Sequence, residues 1–230
     1  MARVLMAVTG ADAIELTDGT MHPTGFWAEE LVELHRGLVE AGHEVTIATP
    51  GGVRPPVDPG SMAGDDRSLG SYLAGIDAVL AHPRALGDIA VGEFDAIALP
   101  GGHGPMVDLV ADVDLGRLLV DAVDRGALVG VLCHGPAGLL SAIRADGSFA
   151  FAGSRLAVFT DAEEMQGGLG ERSPYLVESR LRDLGAIVES REPWSSTVVT
   201  DGALVSGQNP QSSVATARAL VAALASLASR

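Results

Sequence analysis

The chain has 230 residues, 47% of them apolar, and a positive mean hydropathy, enough to bury a sizeable core. Its formal charge is -15, from 15 basic against 30 acidic residues, and every basic residue is an arginine. So acidic a surface repels phosphate backbones, which argues against nucleic acid as a partner, and the missing lysine excludes Schiff-base and P-loop chemistry.

Met1–Val8 holds one charge and a short apolar run that ends in Thr9-Gly10. It is too short for a signal peptide and reads as a first buried strand. No apolar run reaches the length of a membrane span, and a single cysteine cannot form an internal disulfide. A reducing cytoplasm, away from membranes, is the expected setting. Further runs at Val45–Ala48, Ala96–Leu99, Leu128–Leu132 and Leu156–Phe159 are short, continuous and rich in Val, Ile or Leu, as strands buried on both faces are. Helical spacing fills the gaps between them. Residues 24–41 put Phe26, Leu31, Leu34 and Leu38 on one stripe and stop at Gly42. Residues 50–75 are rich in Gly and Pro and read as a loop-rich insertion. Residues 114–125 offer Leu115, Leu118, Leu119 and Val123 before Gly126, and Pro136 to about Ile143 and Pro174–Leu184 are two more helical stretches. Thr197–Val205 carries Asp201-Gly202 between apolar segments, a hairpin signal of type I′, and Gln211–Ser229 is an Ala-rich last helix. Alternating strands and helices predict a parallel sheet covered on both faces, with residues 1–230 forming one domain.

Cys133 ends the most central-looking strand, and Gly135 and Pro136 follow it, which suits a sharp turn into a helix. At a helix N-terminus, free N–H groups and the helix dipole favour thiolate and can hold an oxyanion. This strand-turn-helix context is similar to a nucleophile elbow, although Val131 stands where the G-x-S-x-G form has its first glycine. The alternative is a small hydrophobe packed at a strand end. Leu99–Met106 (LPGGHGPM) closes another strand with glycines whose N–H groups can approach a ligand. Glu30 lies near Phe26 and Trp27, where apolar surroundings raise a carboxyl pKa; Glu29 is its neighbour and competes for the role. Asp161, Glu163 and Glu164 follow the strand at 156–159, and any of them can orient His134. The six histidines show no ligand-like spacing, so no metal is expected.

Together, Cys133-His134-Gly135-Pro136, the Pro100–Met106 loop and Val205–Ser213 (VSGQNPQSS) resemble the DJ-1/PfpI superfamily, in particular its Hsp31-like branch with glutathione-independent glyoxalases. Thr24–Glu30 and Phe159–Glu164 add further matches, so the motifs span nearly the whole chain. The resemblance implies a flavodoxin-like α/β sandwich with Cys133 as nucleophile. It also implies Glu30 as the acid beside the sulfur, His134 paired with Glu164, and an oxyanion hole from the backbone of Gly102 and His134. The implied reaction is conversion of methylglyoxal or glyoxal to a hydroxy acid, with no cofactor and a homodimeric protein. Class I glutamine amidotransferases share the cysteine but use a late His-Pro-Glu. Here Gln208-Asn209-Pro210-Gln211 stands instead, which puts that triad in doubt. The same superfamily also suggests a cysteine hydrolase (peptidase, amidase or deglycase) or a stress-response holdase whose thiol senses oxidant.

Overall fold

The computed structural model describes residues 1–64 and 67–227. Ala228 and Ser229 of the expected last helix, and Asp65 and Asp66 within the 50–75 stretch, lie outside the described residues. In chain order the strands are β1 (Arg3–Ala7), β2 (Ala13–Glu15), β3 (Met21–Pro23), β4 (Glu44–Thr49), β5 (Arg84–Ala85), β6 (Ala96–Leu99), β7 (Leu128–Leu132), β8 (Arg155–Leu156), β9 (Ile187–Val188), β10 (Val198–Asp201) and β11 (Leu204–Gly207). The helices are α1 (Ala28–Glu40), α2 (Arg67–Gly75), α3 (Asp77–Ala81), α4 (Val113–Arg125), α5 (Asp161–Gly167), α6 (Val177–Asp183) and α7 (Ser213–Leu227). Among the described residues, no helix is long and apolar enough to cross a membrane.

The main sheet runs β10-β11-β7-β6-β1-β4-β5, and every neighbouring pair in it is parallel except β10 with β11. Successive side chains of a strand point to opposite faces. Thus Leu5 and Ala7 join Leu99, Val131 and the α4 residues Leu115, Leu118 and Leu119 on one side. Val4 and Met6 join Leu132, Leu34 of α1 and Leu220 of α7 on the other. Both faces being buried is why β6 and β7 read as unbroken apolar runs. The result is the flavodoxin-like sandwich expected.

From β1 the chain passes to β4 on one side and later returns to β6 on the other. The carboxyl ends of β1 and β6 therefore flank a topological switch point, the usual crevice for ligands in open α/β sheets. β7, which leads into Cys133, lies beside β6.

Four expectations need correction. Leu156–Phe159 is not a strand of the main sheet: only Arg155 and Leu156 are paired, and with β9 in a separate two-stranded sheet. Ala157 N–H instead donates to Ser206 Oγ (2.8 Å) and Phe159 N–H to the Cys133 carbonyl (3.0 Å), so the apolar run reports burial without ladder pairing. Residues 135–141 wind as a tighter 3₁₀ helix. They pass so close to β6 that a Cβ at Gly138 would lie 2.8 Å from Leu99. The hairpin turn centres on Gly202-Ala203, and only Gly202 has a positive φ (57°), as type II′ requires, where type I′ needs two. The 50–75 stretch contains α2 and 3₁₀ turns at Pro50–Gly52 and Pro59–Met62 besides its loops.

Candidate active site

Cys133 has φ 57°, a left-handed backbone that side chains with a Cβ adopt at a cost. Two hydrogen bonds hold it there: its N–H donates to Gly207 O and its carbonyl accepts from Phe159 N–H, both at 3.0 Å. Gly135 is needed just beyond, since a Cβ there would lie 2.2 Å from the Leu99 carbonyl oxygen. The sharp turn expected at this point is present. The α-helix expected after it is not, and Cys133 is 3% exposed within an apolar cluster.

His134 places Nδ1 3.3 Å from the Cys133 sulfur, while its Nε2 bonds to Glu164 Oε2. Its ring lies between those of His103 (centroids 4.2 Å apart) and Phe159 (4.4 Å). The three acids that the sequence left open divide their work. Asp161 accepts from Ser179 Oγ on α6. Glu163 closes a capping box with Thr160 at the start of α5 and also accepts from Trp194 N–H (2.7 Å) and Asn209 Nδ2 (2.7 Å). Glu164 is the one that reaches His134.

Glu164 has a second histidine. His103 Nε2 lies 2.9 Å from Glu164 Oε1. In the sequence the glycines of this loop point to a ligand, and nothing in the spacing of its histidine does. The available signal was a polar ring in a glycine turn closing the strand next to β7. Ligand-type atoms of His103, His134 and Glu164 fall within 4.8 Å of one another. Packing thus creates a set of possible metal donors that histidine spacing in the sequence gave no hint of.

Glu30, in the first turn of α1, is fully buried, whereas Glu29 is half-buried. Its Oε2 accepts from Gly101 N–H at 2.7 Å, and its Oε1 has no hydrogen-bond partner. Gly101 must be glycine, because a Cβ there would lie 2.7 Å from His134 N and 2.8 Å from Glu30 Oε2. Gly102, next in the loop, has φ 90° and is pressed against the backbone of Gly25 and Trp27. Trp27 N–H in turn donates to Gly101 O (2.9 Å), tying the start of α1 to the end of β6. Cys133, His134, Glu30, Glu164 and the Gly102 loop thus converge on the carboxyl ends of β6 and β7.

The electrostatics overturn one expectation. Burial raises the Glu30 pKa to about 8, with the neighbouring thiol and the Gly101 N–H pulling the other way. Burial, followed by the proximity of Glu30, raises the Cys133 pKa well above its ordinary value, and the backbone N–H of His134 offsets only part of this. The sulfur is therefore a resting thiol at neutral pH. The expected thiolate would need an exposed helix N-terminus, and burial beside an acid replaces it. Burial and the nearby His103 lower the His134 pKa, which leaves a neutral imidazole. Burial works to raise the Glu164 pKa, but the two histidines outweigh it and hold that carboxyl well below the usual range. The ionised Glu164 accepts N–H from His134 Nε2, so Nδ1 is left as the basic nitrogen facing the sulfur.

A doubly covered parallel sheet, with a cysteine in a left-handed turn beside its switch point and a histidine and two carboxyls around the sulfur, defines a flavodoxin-like α/β protein with a candidate site at the carboxyl ends of β6 and β7. The chain belongs to the DJ-1/PfpI family, whose model matches residues 21–223. It is 26% identical over 235 residues to Glyoxalase 3 of Candida albicans, covering 97% of this chain and 98% of that one. The solved structure of glyoxalase III from that yeast superposes with a TM-score of 0.81 at 26% identity, covering 96% of each chain. Rapid Encystment Protein 24 KDa of Francisella tularensis gives a TM-score of 0.91 at 28% identity, covering 97% and 99%. Protein/nucleic acid deglycase HchA of Staphylococcus aureus is 29% identical over 223 residues, covering 92% of this chain and 76% of that one.

Proposed function

We propose that the protein is a glutathione-independent glyoxalase that converts methylglyoxal, or a related 2-oxoaldehyde, to the 2-hydroxy acid through a hemithioacetal on Cys133. The observation that carries this reading is Glu30. A carboxyl with a pKa of about 8, buried beside the thiol, suits a group that must both take and return a proton. The similarity to Glyoxalase 3 supports it.

The steps use the residues as they lie. The sulfur adds to the aldehyde carbon while the thiol proton leaves to His134 Nδ1, 3.3 Å away. The aldehyde oxygen carries the negative charge until His134 returns the proton, with the Gly102 and His134 backbones as donors. Glu30, as carboxylate, takes the hydrogen from the aldehyde-derived carbon as a proton while the ketone oxygen is protonated, giving an enediol-like intermediate. Glu30 then delivers its proton to the neighbouring carbon as the hydroxyl on the sulfur-bearing carbon gives up its own, which replaces the one taken by the ketone oxygen. This leaves a thioester of the 2-hydroxy acid, and water cleaves it to release the acid and the thiol. Glu164 keeps His134 in the required tautomer throughout. With Cys133 buried, the site favours a small substrate.

Purified protein should convert methylglyoxal to lactate without added thiol. Cys133→Ala should lower the rate by about a thousandfold or more, and Glu30→Gln by a similar factor. Undiminished turnover by Cys133→Ala would overturn the reading. The likeness to HchA favours a second one, removal of the same dicarbonyls from glycated protein or nucleic acid. It predicts activity on a glycated substrate and none on the free aldehyde. Gln208 and Asn209 direct their side-chain amides to Glu163, which counts further against an amidotransferase triad. We place the enzyme in a reducing cytoplasm as a homodimer.

A further inference from the structure

We propose that His103, His134 and Glu164 form a binding site for one Zn²⁺-class divalent cation, and that the bound cation silences Cys133. The silencing rests on the role just given to His134; the binding does not. The three side chains offer two imidazole nitrogens and a carboxylate, a donor set that suits zinc when a fourth position stays open to water. Their ligand atoms already lie within 4.8 Å of one another, with His103 Nε2 2.9 Å from Glu164 Oε1. Tetrahedral zinc with bonds of about 2.0–2.1 Å needs donors roughly 3.3 Å apart, so the set needs only small rotations to close on a metal. The site has an entrance, since the His103 side chain is 16% exposed while those of His134 and Glu164 are 3% and 6% exposed. The -15 charge of the chain draws cations towards it.

The consequence follows from which nitrogen of His134 is engaged. Without metal, Nε2 carries a hydrogen donated to Glu164, and Nδ1 presents its lone pair to the sulfur 3.3 Å away. A cation on Nε2 needs that nitrogen's own lone pair, so the hydrogen must leave Nε2 and the neutral ring carries it on Nδ1 instead. Nδ1 then donates towards the sulfur and cannot accept the thiol proton. No bond to sulfur forms and nothing is oxidised; one tautomer replaces the other.

The test uses the metal-free full chain, titrated with Zn²⁺ against a chromophoric chelator, and in parallel the rate of Cys133 alkylation by iodoacetamide. The expected result is one zinc per chain and alkylation slowed by about tenfold or more when zinc is bound. His103→Gln and Glu164→Gln should each weaken binding by at least about tenfold. Cys133→Ala should bind zinc as the parent does, and Co²⁺ should give visible absorption without a thiolate charge-transfer band. Absence of saturable binding would overturn the site. So would binding lost in Cys133→Ala, or binding unchanged in His103→Gln. Zinc bound as expected but with unchanged alkylation would overturn the silencing. Neither readout uses an aldehyde, so a protein inactive on methylglyoxal would sink the glyoxalase reading and leave this one standing.

Discussion

At Cys133 backbone and side chain make opposing demands. The left-handed φ of 57° costs a residue with a Cβ about 1 kcal/mol or more, and the flanking bonds to Gly207 and Phe159 enforce it. Cys133→Gly should therefore melt above Cys133→Ala, although glycine is ordinarily the less stabilising of the two. Thermal unfolding of the pair measures the strain, and a lower midpoint for the glycine variant would show that the turn stores none. Glu30 makes a second prediction with a definite sign. Its folded-state pKa is raised from 4.5 to about 8, so the folded protein holds this proton more tightly than the unfolded chain. Its contribution is complete below pH 4.5 and disappears as pH rises through about 8. Glu30→Gln removes the titration, so its stability relative to wild type should improve by a few kcal/mol across that window in denaturant titrations. Turnover should move the other way, rising towards pH 8 as the carboxylate form fills. At this scale the chemistry-bearing side chains were legible because their types and motifs announce them. The resting thiol and the partner role of His103 were not: one depends on burial, the other on a contact spanning 61 positions.

Among the elements, α5 shows how a short helix can aim one acid while anchoring another. Thr160 caps it, and Glu163 collects N–H groups from Thr160 (2.9 Å), Trp194 (2.7 Å) and the side chain of Asn209 (2.7 Å). With Glu163 fixed, its neighbour Glu164 is directed at the two histidines. Glu163→Gln keeps the size but turns an NH₂ group on a cluster of donors, leaving at least one buried group unsatisfied at a cost of about 1–3 kcal/mol. The expected outcome is a lower melting temperature together with slower methylglyoxal turnover, because the base of the Glu164–His134 pair loosens. A variant that melts lower with unchanged turnover would show that Glu163 only stabilises. The same segment marks where pattern reading ends. β6, β7 and α4 were legible because burial on both faces, or a stripe closed by Gly126, leaves a periodic trace. Residues 157–159 carry the same apolar signal, yet they are held by a serine hydroxyl and a single carbonyl. Composition cannot separate that from a strand.

Over the whole molecule, the order of strands was the least legible feature, since alternation predicts a parallel sheet but not which strand lies beside which. That order sets β6 between β1 and β7 and so brings residues 30, 101 and 133 together. Net charge, by contrast, is read directly, and it makes a prediction of its own. At -15, self-repulsion among surface carboxylates favours expansion, and salt screens it over a Debye length of about 8 Å at physiological ionic strength. Opposing this, salt also weakens exposed ion pairs such as Arg155–Glu189 and Arg54–Asp77, but such pairs contribute little each. With acidic residues outnumbering basic ones 30 to 15, repulsion outweighs pairing. Raising sodium chloride from about 20 mM to about 500 mM should therefore raise the melting temperature, by roughly 2–4 °C for each kcal/mol gained in a chain of this size. Thermal scans at fixed pH test it, and a melting temperature that falls with salt would mean that the surface ion pairs, against this reasoning, carry more of the stability than the excess negative charge removes.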